Sequence, residues 1–156
     1  MTGIIIDEVG PESLEAVMAI MKVAFDPGYG EAWTEPQTLS MLALPGVWLA
    51  LARVEGRPAG FTLSRIIADE AELLLLAVDP ASRRSGIGLA LIEHSRNQTR
   101  HRNGNRIHLE VRHNNPAIEL YKKAGFTQVG RRPGYYRASD GQLHDALTLS
   151  CALRPQ

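Results

Sequence analysis

Leu76-Ala77-Val78-Asp79-Pro80-Ala81-Ser82-Arg83-Arg84-Ser85-Gly86-Ile87-Gly88-Leu89-Ala90-Leu91 is the stretch on which the reading of the fold turns. An apolar run ends at Asp79-Pro80 and a short polar loop follows. Gly86 and Gly88 then stand at the mouth of a helix that should run from about Gly86 to Arg102 and close near Gly104. Glycines in that place let the backbone come close to an anion, and the unpaired N–H groups of a helix start point toward it. Arg83 and Arg84 add charge of the sign that a diphosphate needs. The same residues also read as a glycine-rich turn with exposed arginines, and taken alone they leave both readings open. Other phosphate loops fit worse. No Gly-x4-Gly-Lys-Ser/Thr sequence occurs, and a dinucleotide loop would need a third glycine at Ala90 or Leu91.

Outward from this loop, Glu72 to Val78 is a nearly continuous apolar run, as expected of a strand covered on both faces. Ahead of it, Val47 to Leu51 and Ala59 to Leu63 flank Glu55-Gly56-Arg57-Pro58, the pattern of two strands joined by a tight turn. Ile4 to Val9 reads as a short strand. Gly10 and Pro11 suit a helix start, and Leu14, Val17, Met18, Met21 and Phe25 then recur at helical spacing. Pro27, Gly28 and Gly30 break that pattern. Thr34 with Gln37 resembles a capping box opening a second short helix through Leu42.

Downstream, Ile107, Leu109 and Val111 alternate with His108, Glu110 and Arg112, a strand with one apolar face. Asn115 or Pro116 opens a helix carrying Ala117, Leu120, Tyr121 and Ala124, and Gly125 stops it. Two strands close the chain, near Phe126 to Arg131 and Gln142 to Leu153. The order is strand, two helices, three strands, helix, strand, helix, two strands. That is one mixed α/β domain over residues 1–156, with no internal repeat and no linker dividing it.

Seventeen basic and seventeen acidic residues cancel, which argues against a nucleic-acid groove, since such a groove carries a basic excess. Cys151 is the single cysteine, so no intrachain disulfide can form and a reducing cytoplasm fits. The start, Met1 to Asp7, lacks the basic-then-apolar pattern of a secretory signal, and the run from Leu73 to Val78 is too short to span a bilayer. The expectation is a cytoplasmic protein with no membrane partner.

Arg-x-x-Gly-x-Gly after a Val-Asp-Pro strand end resembles the acetyl-CoA motif of the GNAT N-acetyltransferases. Asn114-x-x-Ala117-Ile118-x-Leu120-Tyr121-x-x-x-Gly125-Phe126 resembles their second signature. The resemblance implies an α/β (α+β) fold: a central, mixed, mostly antiparallel twisted sheet of about seven strands flanked by about four helices. Leu109-Glu110-Val111-Arg112, the helix into Gly125-Phe126, and Arg131-Arg132-Pro133-Gly134-Tyr135-Tyr136 with Asp140-Gly141 and Asp145-Ala146 narrow the likeness. They are similar to the bacterial branch that acetylates the N-terminal amine of a ribosomal protein. Ala32-Trp33-Thr34 matches that branch's Pro-Trp-Ser-like segment in part. The loop from Val111 to Asn114 is one residue shorter than is common there, which leaves Asn114 and Asn115 both as candidates for a cofactor contact.

What the resemblance implies for the site is specific. Backbone groups of Leu76, Ala77 and Val78 would hold the pantetheine arm of acetyl-CoA, and Arg83, Arg84, Ser85, Gly86, Ile87 and Gly88 its pyrophosphate. Acetyl transfer then needs a neutral amine and a protonated leaving thiolate. An α-amine has a reference pKa of about 8, so a sizeable minority of it is neutral near pH 7.5, against about a thousandth of a lysine near 10.4. A carboxylate working through water suffices for such an amine, and Glu110 is the candidate general base. The alternative for Glu110 is an ordinary exposed strand glutamate. Tyr121 is the candidate general acid, because a phenol stays protonated at neutral pH and can donate to sulfur. Without the motif around it, Tyr121 would read as helix core. Trp33, Tyr135 and Tyr136 are candidates for the acceptor groove or for plain packing.

Other signals point elsewhere or nowhere. His94 and His101 lie two turns apart on one helix and His108 and His113 on other elements, so no metal site is expected. Cys151 reads as a buried structural thiol rather than a nucleophile. Arg96, Arg100, Arg102 and Arg106 form a basic patch on paper, either a solvated face or a meeting point for ribosomal RNA. The leading functional expectation is an acetyl-CoA-dependent enzyme acting on a protein N-terminus. A GNAT enzyme for small amines or lysine side chains is the nearest alternative, and a silent acyl-CoA-binding regulatory module is the alternative of a different class.

Overall fold

A computed structural model describes residues 3–154; the first two residues of the N-terminal stretch read above and the last two of the domain lie outside the described residues. The seven strands are β1 (Ile4–Val9), β2 (Val47–Val54), β3 (Arg57–Ile67), β4 (Glu70–Val78), β5 (Arg106–Arg112), β6 (Thr127–Arg137) and β7 (Leu143–Ala152). The α-helices are α1 (Leu14–Ala24), α2 (Glu35–Leu42), α3 (Ile87–His101) and α4 (Ala117–Lys123), with single 3-10 turns at Pro11–Ser13, Pro27–Tyr29 and Pro80–Ser82. The strands form one sheet in the order β1-β2-β3-β4-β5-β7-β6. All neighbours are antiparallel except β4 and β5, so the mixed, mostly antiparallel sheet of the sequence reading is present.

Local chemistry explains several boundaries. Pro11 stands in the turn ahead of α1, where a missing N–H costs nothing. Thr34 and Gln37 exchange both hydrogen bonds of a capping box, 3.2 Å from the Gln37 N–H to Thr34 Oγ1 and 2.8 Å from the Thr34 N–H to Gln37 Oε1. The β2–β3 hairpin is tighter than the sequence reading placed it. Glu55 and Gly56 alone carry positive φ, 52° and 78°, which suits a two-residue hairpin loop. Arg57 and Pro58 already belong to β3, where they pair with Val54 and Arg53 beside a bulge. β6 is likewise longer than expected. It runs on through Pro133 and Gly134 to Arg137, because its pairing with β7 resumes after an irregularity between Arg132 and Tyr136.

The decisive irregularity lies in β4. Leu63 of β3 pairs with Leu75 and Ser64 with Leu73, so Leu74 is an extra residue, a β-bulge. Strand side chains alternate between faces. Yet Ala71 and Leu73 pack with Ile92, Ile107 and Phe126 on the α3/α4 face, while Leu75 and Ala77 pack with Val17, Ile20 and Met21 of α1 on the other. The bulge exchanges the faces halfway along. An unbroken apolar run is therefore needed there, because each half of β4 has a different buried side.

β4 and β5 also part company. They pair over Glu70–Glu72 and Arg106–His108 alone, although β4 continues to Val78 and β5 to Arg112. Beyond His108, β5 keeps its ladder with β7, and β4 keeps its ladder with β3. The sheet is thus wedged open at its middle, with strand edges facing a cleft.

Candidate active site

The cleft between β4 and β5 ends in a cavity of about 170 Å³. Its wall takes Leu73 to Leu76 from β4 and Leu109 to Val111 from β5. Tyr121 joins from α4, Tyr135 and Tyr136 from β6, and Glu31 and Trp33 from the loop ahead of α2. The structure therefore brings together Leu76, Glu110, Tyr121, Asn115, Trp33, Tyr135 and Tyr136, residues that the sequence places on five separate segments. Ala77 and Val78 lie further along β4, and the segment from Arg83 to Gly88 follows it into the start of α3, all outside the cavity wall.

Glu110 is not an exposed strand glutamate. Its side chain is 8% exposed; the Thr148 hydroxyl donates to Oε2 at 2.7 Å and Arg132 Nε lies 3.3 Å from Oε1. Tyr121 is buried, 6% exposed, and meets Phe126 edge to face. Burial first, and then the charge of Glu31, push its phenol well above the ordinary tyrosine range, so it is protonated at any working pH. Tyr136 is held in the same state by burial and by Glu31, Tyr135 and Glu110, and its hydroxyl donates to the Glu110 carbonyl at 3.3 Å. Tyr135 is half exposed and stands edge to face on Tyr136.

The two asparagines separate. Asn114 turns its Oδ1 to Arg112 Nε at 2.7 Å. Asn115 accepts from the Ala117 N–H at 2.8 Å in the turn that leads into α4, and lines the cavity.

At the far end of β4, the two glycines have different tasks. Gly86 has φ of 85°, a left-handed conformation with open space around it, so backbone freedom is its reason. Gly88 has no such φ. A Cβ there would meet Leu120 Cδ2 at 2.8 Å, so its absence lets α3 start against α4. No side chain caps α3. The first amide to find a carbonyl four residues back is Ala90, bonding Gly86 at 3.0 Å. Those of Ile87, Gly88 and Leu89 come before it and have no partner within the helix. Arg83 reaches the Ala24 carbonyl at 3.0 Å, and Arg84 takes φ of 67°. A strand edge leading to free helix amides suits an elongated ligand with an anionic end.

A family model described as the acetyltransferase (GNAT) family matches residues 14–126. The chain belongs to the GNAT acetyltransferases. Among curated relatives, the ribosomal protein bS18-alanine N-acetyltransferase of Escherichia coli K12 is 38% identical over 96 residues, which is 61% of this chain and 64% of that protein. Its counterpart in Haemophilus ducreyi is 36% identical over 94 residues, 60% of this chain and 65% of the relative. The match thus spans slightly less than two thirds of these relatives. The crystal structure of the Escherichia coli ribosomal-protein-S18-alanine N-acetyltransferase superposes with a TM-score of 0.87 at 29% identity, covering 99% of this chain and 96% of that one. Ard1 from Thermoplasma volcanium follows at 0.82 and 30% identity, covering 97% and 98%.

Several expectations need correction within this GNAT domain. Cys151 is half-buried rather than buried, with Sγ 3.3 Å from Arg96 Nη2. The paper patch of arginines is not a patch. Arg96 is itself buried against Phe126 and the Ala124 carbonyl. Arg102 lies over the Trp48 ring at 4.1 Å and pairs with Glu8. Arg106 is tied to Ser150. His113 and His144 do lie close, rings stacked at 5.7 Å, yet among the described residues no group of three ligands could hold a metal. No helix among the described residues is long and apolar enough to cross a membrane.

The sequence reading missed Glu31. It sits in a glycine-rich loop without a motif, and its partner Arg112 is 81 residues away, so no local pattern announces it.

Proposed function

We propose that this GNAT chain is an acetyl-CoA-dependent N-acetyltransferase whose acceptor is the N-terminal α-amine of a protein, a ribosomal protein being the leading case. One observation carries the reading: the unpaired edge of β4 runs from the free amides of α3 to a cavity holding both Glu110 and Tyr121. The named activity of the relatives above supports the acceptor class. A ribosomal acceptor would be met in the cytoplasm.

Acetyl-CoA supplies an acyl carbon activated as a thioester. On this reading the edge of β4 at Leu76, Ala77 and Val78 holds the pantetheine arm by strand-like hydrogen bonds. The amides of Ile87 and Gly88, with Arg83, Arg84, Ser85 and Gly86 beside them, hold the pyrophosphate. Asn115, on the cavity wall, is the better placed of the two asparagines for a cofactor contact. The acceptor nitrogen bonds to the acyl carbon and the carbon–sulfur bond breaks. Glu110 takes the proton that the amine releases, through water, and Tyr121 gives its phenolic proton to the departing sulfur. Trp33, Tyr135 and Tyr136 line the approach, and Trp33 continues it into an apolar groove along α2 with Pro36, Met41 and Leu44.

The test is thiol release from acetyl-CoA against peptides beginning with Ala, Ser or Met, beside polyamines and free amino acids. Turnover with peptides alone is the expected outcome. Activity confined to small amines overturns the acceptor assignment and leaves the cofactor reading standing.

A further inference from the structure

Glu31, Glu72 and Glu110 all line the cavity, and two of them have conventional company. Glu72 is held by Arg65 at 3.0 Å, with His108 4.0 Å away, and Glu110 by Thr148 and Arg132. Glu31 is different. Its side chain is 11% exposed, and Arg112 Nη1 holds one oxygen, Oε1, at 2.7 Å. Arg112 is itself buried: Nε donates to Asn114 Oδ1 at 2.7 Å, and Cζ lies 3.5 Å from the Tyr29 ring centroid. The loop behind Glu31 is pinned in turn. The Ser139 N–H donates to the Gly28 carbonyl at 2.7 Å, Asp26 accepts from the Gly28 N–H, and Tyr29 meets His144 edge to face. A glutamate on a glycine-rich loop is thereby fixed at the cavity wall.

A carboxylate has two oxygens and about four acceptor positions, of which Arg112 occupies one side. Burial raises the pKa of Glu31 above the ordinary glutamate range. That burial outweighs Arg112 and Asn115, which favour the charged form, while Asp26 adds to the rise. The negative charge is thus incompletely matched. What faces it across the cavity is Tyr121 and Tyr136, both neutral, and Glu110, which is anionic when ionised. A cationic group on the incoming acceptor would complement this carboxylate.

We propose that Glu31 binds the acceptor: the carboxylate oxygen that Arg112 does not hold, on the side of Asn115, receives the α-ammonium of the incoming N-terminus before the proton is lost toward Glu110. This rests on the acceptor reading above. Glu31 sets affinity for the charged amine and leaves the chemistry to Glu110 and Tyr121.

The measurement compares two ligands on coenzyme A-loaded protein near pH 6.5. One is a peptide beginning with alanine; the other is its des-amino analogue, which has the same shape without the ammonium. Wild-type protein should favour the charged peptide by about 10-fold or more, the scale of a charge-assisted hydrogen bond. Glu31→Gln should bring that ratio close to one and raise KM for the peptide with kcat little changed. Should Glu31→Gln fold poorly because Arg112 is left buried and unpaired, Glu31→Gln/Arg112→Gln removes both charges and is expected to give the same ratio. Equal discrimination by wild type and variant means that Glu31 merely neutralises Arg112, and the inference falls. If the acceptor reading is wrong, the failure looks different: wild-type protein binds coenzyme A and acetylates no peptide.

Discussion

At the scale of single residues, the proposed mechanism gives Tyr121 and Glu110 separate acid–base tasks, and the two stand in different environments. Tyr121 is buried and kept protonated, so its proton is available whenever sulfur departs. Tyr121→Phe should lower kcat by about 10²-fold, the usual scale for a lost general acid. Heat of coenzyme A binding should change little, since the phenyl ring still packs on Phe126. Turnover at the wild-type rate would remove Tyr121 from the mechanism. Glu110 accepts from the Thr148 hydroxyl at 2.7 Å and lies 3.3 Å from Arg132 Nε, which fixes its carboxylate at the cavity wall. For Glu110→Gln the informative quantity is the pH–rate profile. It should lose one titrating group on the acid side, and a profile superposing on that of wild type speaks against a base at this position.

At the scale of elements, the readable parts of the chain were those decided by neighbours in sequence. The capping box of Thr34 and Gln37, the proline ahead of α1 and the stop at Gly125, φ 99°, each follow from a few adjacent residues. So did the Gly86 and Gly88 loop, although its two glycines turned out to act for separate reasons. Gly86→Ala should cost about 1 kcal/mol in urea unfolding, the strain of a Cβ in a left-handed backbone. An unchanged midpoint would mean that the loop relaxes. The Leu74 bulge was not legible, because Leu73-Leu74-Leu75-Leu76 looks the same with or without an extra residue. Only pairing with Leu63 and Ser64 of another strand decides it. Glu31 was hidden for the same physical reason: its meaning comes from Arg112, which sequence periodicity does not connect to it. Arg96 and Arg102 misled in the opposite direction, since four basic residues at short intervals look like one surface until Arg96 is seen buried on Phe126 and Arg102 laid over Trp48.

At the scale of the molecule, the phenols beside the cavity couple its fold to pH. Tyr121 and Tyr136 both have proton affinities raised in the folded state, mainly by burial. Their stabilising contribution is whole below the unfolded tyrosine pKa of about 10 and is lost as pH climbs above it, because the unfolded chain gives up those protons first. Stability should therefore fall above about pH 10 by roughly 1.4 kcal/mol per pH unit for each phenol. Denaturant unfolding of Tyr136→Phe across that range should show a shallower decline than wild type, and parallel curves would dismiss the coupling. The wedge between β4 and β5 has a consequence of its own. Among the described residues, three residue pairs of the β4–β5 ladder join the β1–β4 half of the sheet to the β5–β7 half, so the ladder of backbone hydrogen bonds is thinnest at this seam. A ligand that lays its length along this seam acts as a splint across two half-sheets. On the proposed reading, cofactor binding would then also stabilise the fold, and thermal unfolding should shift upward when coenzyme A is added.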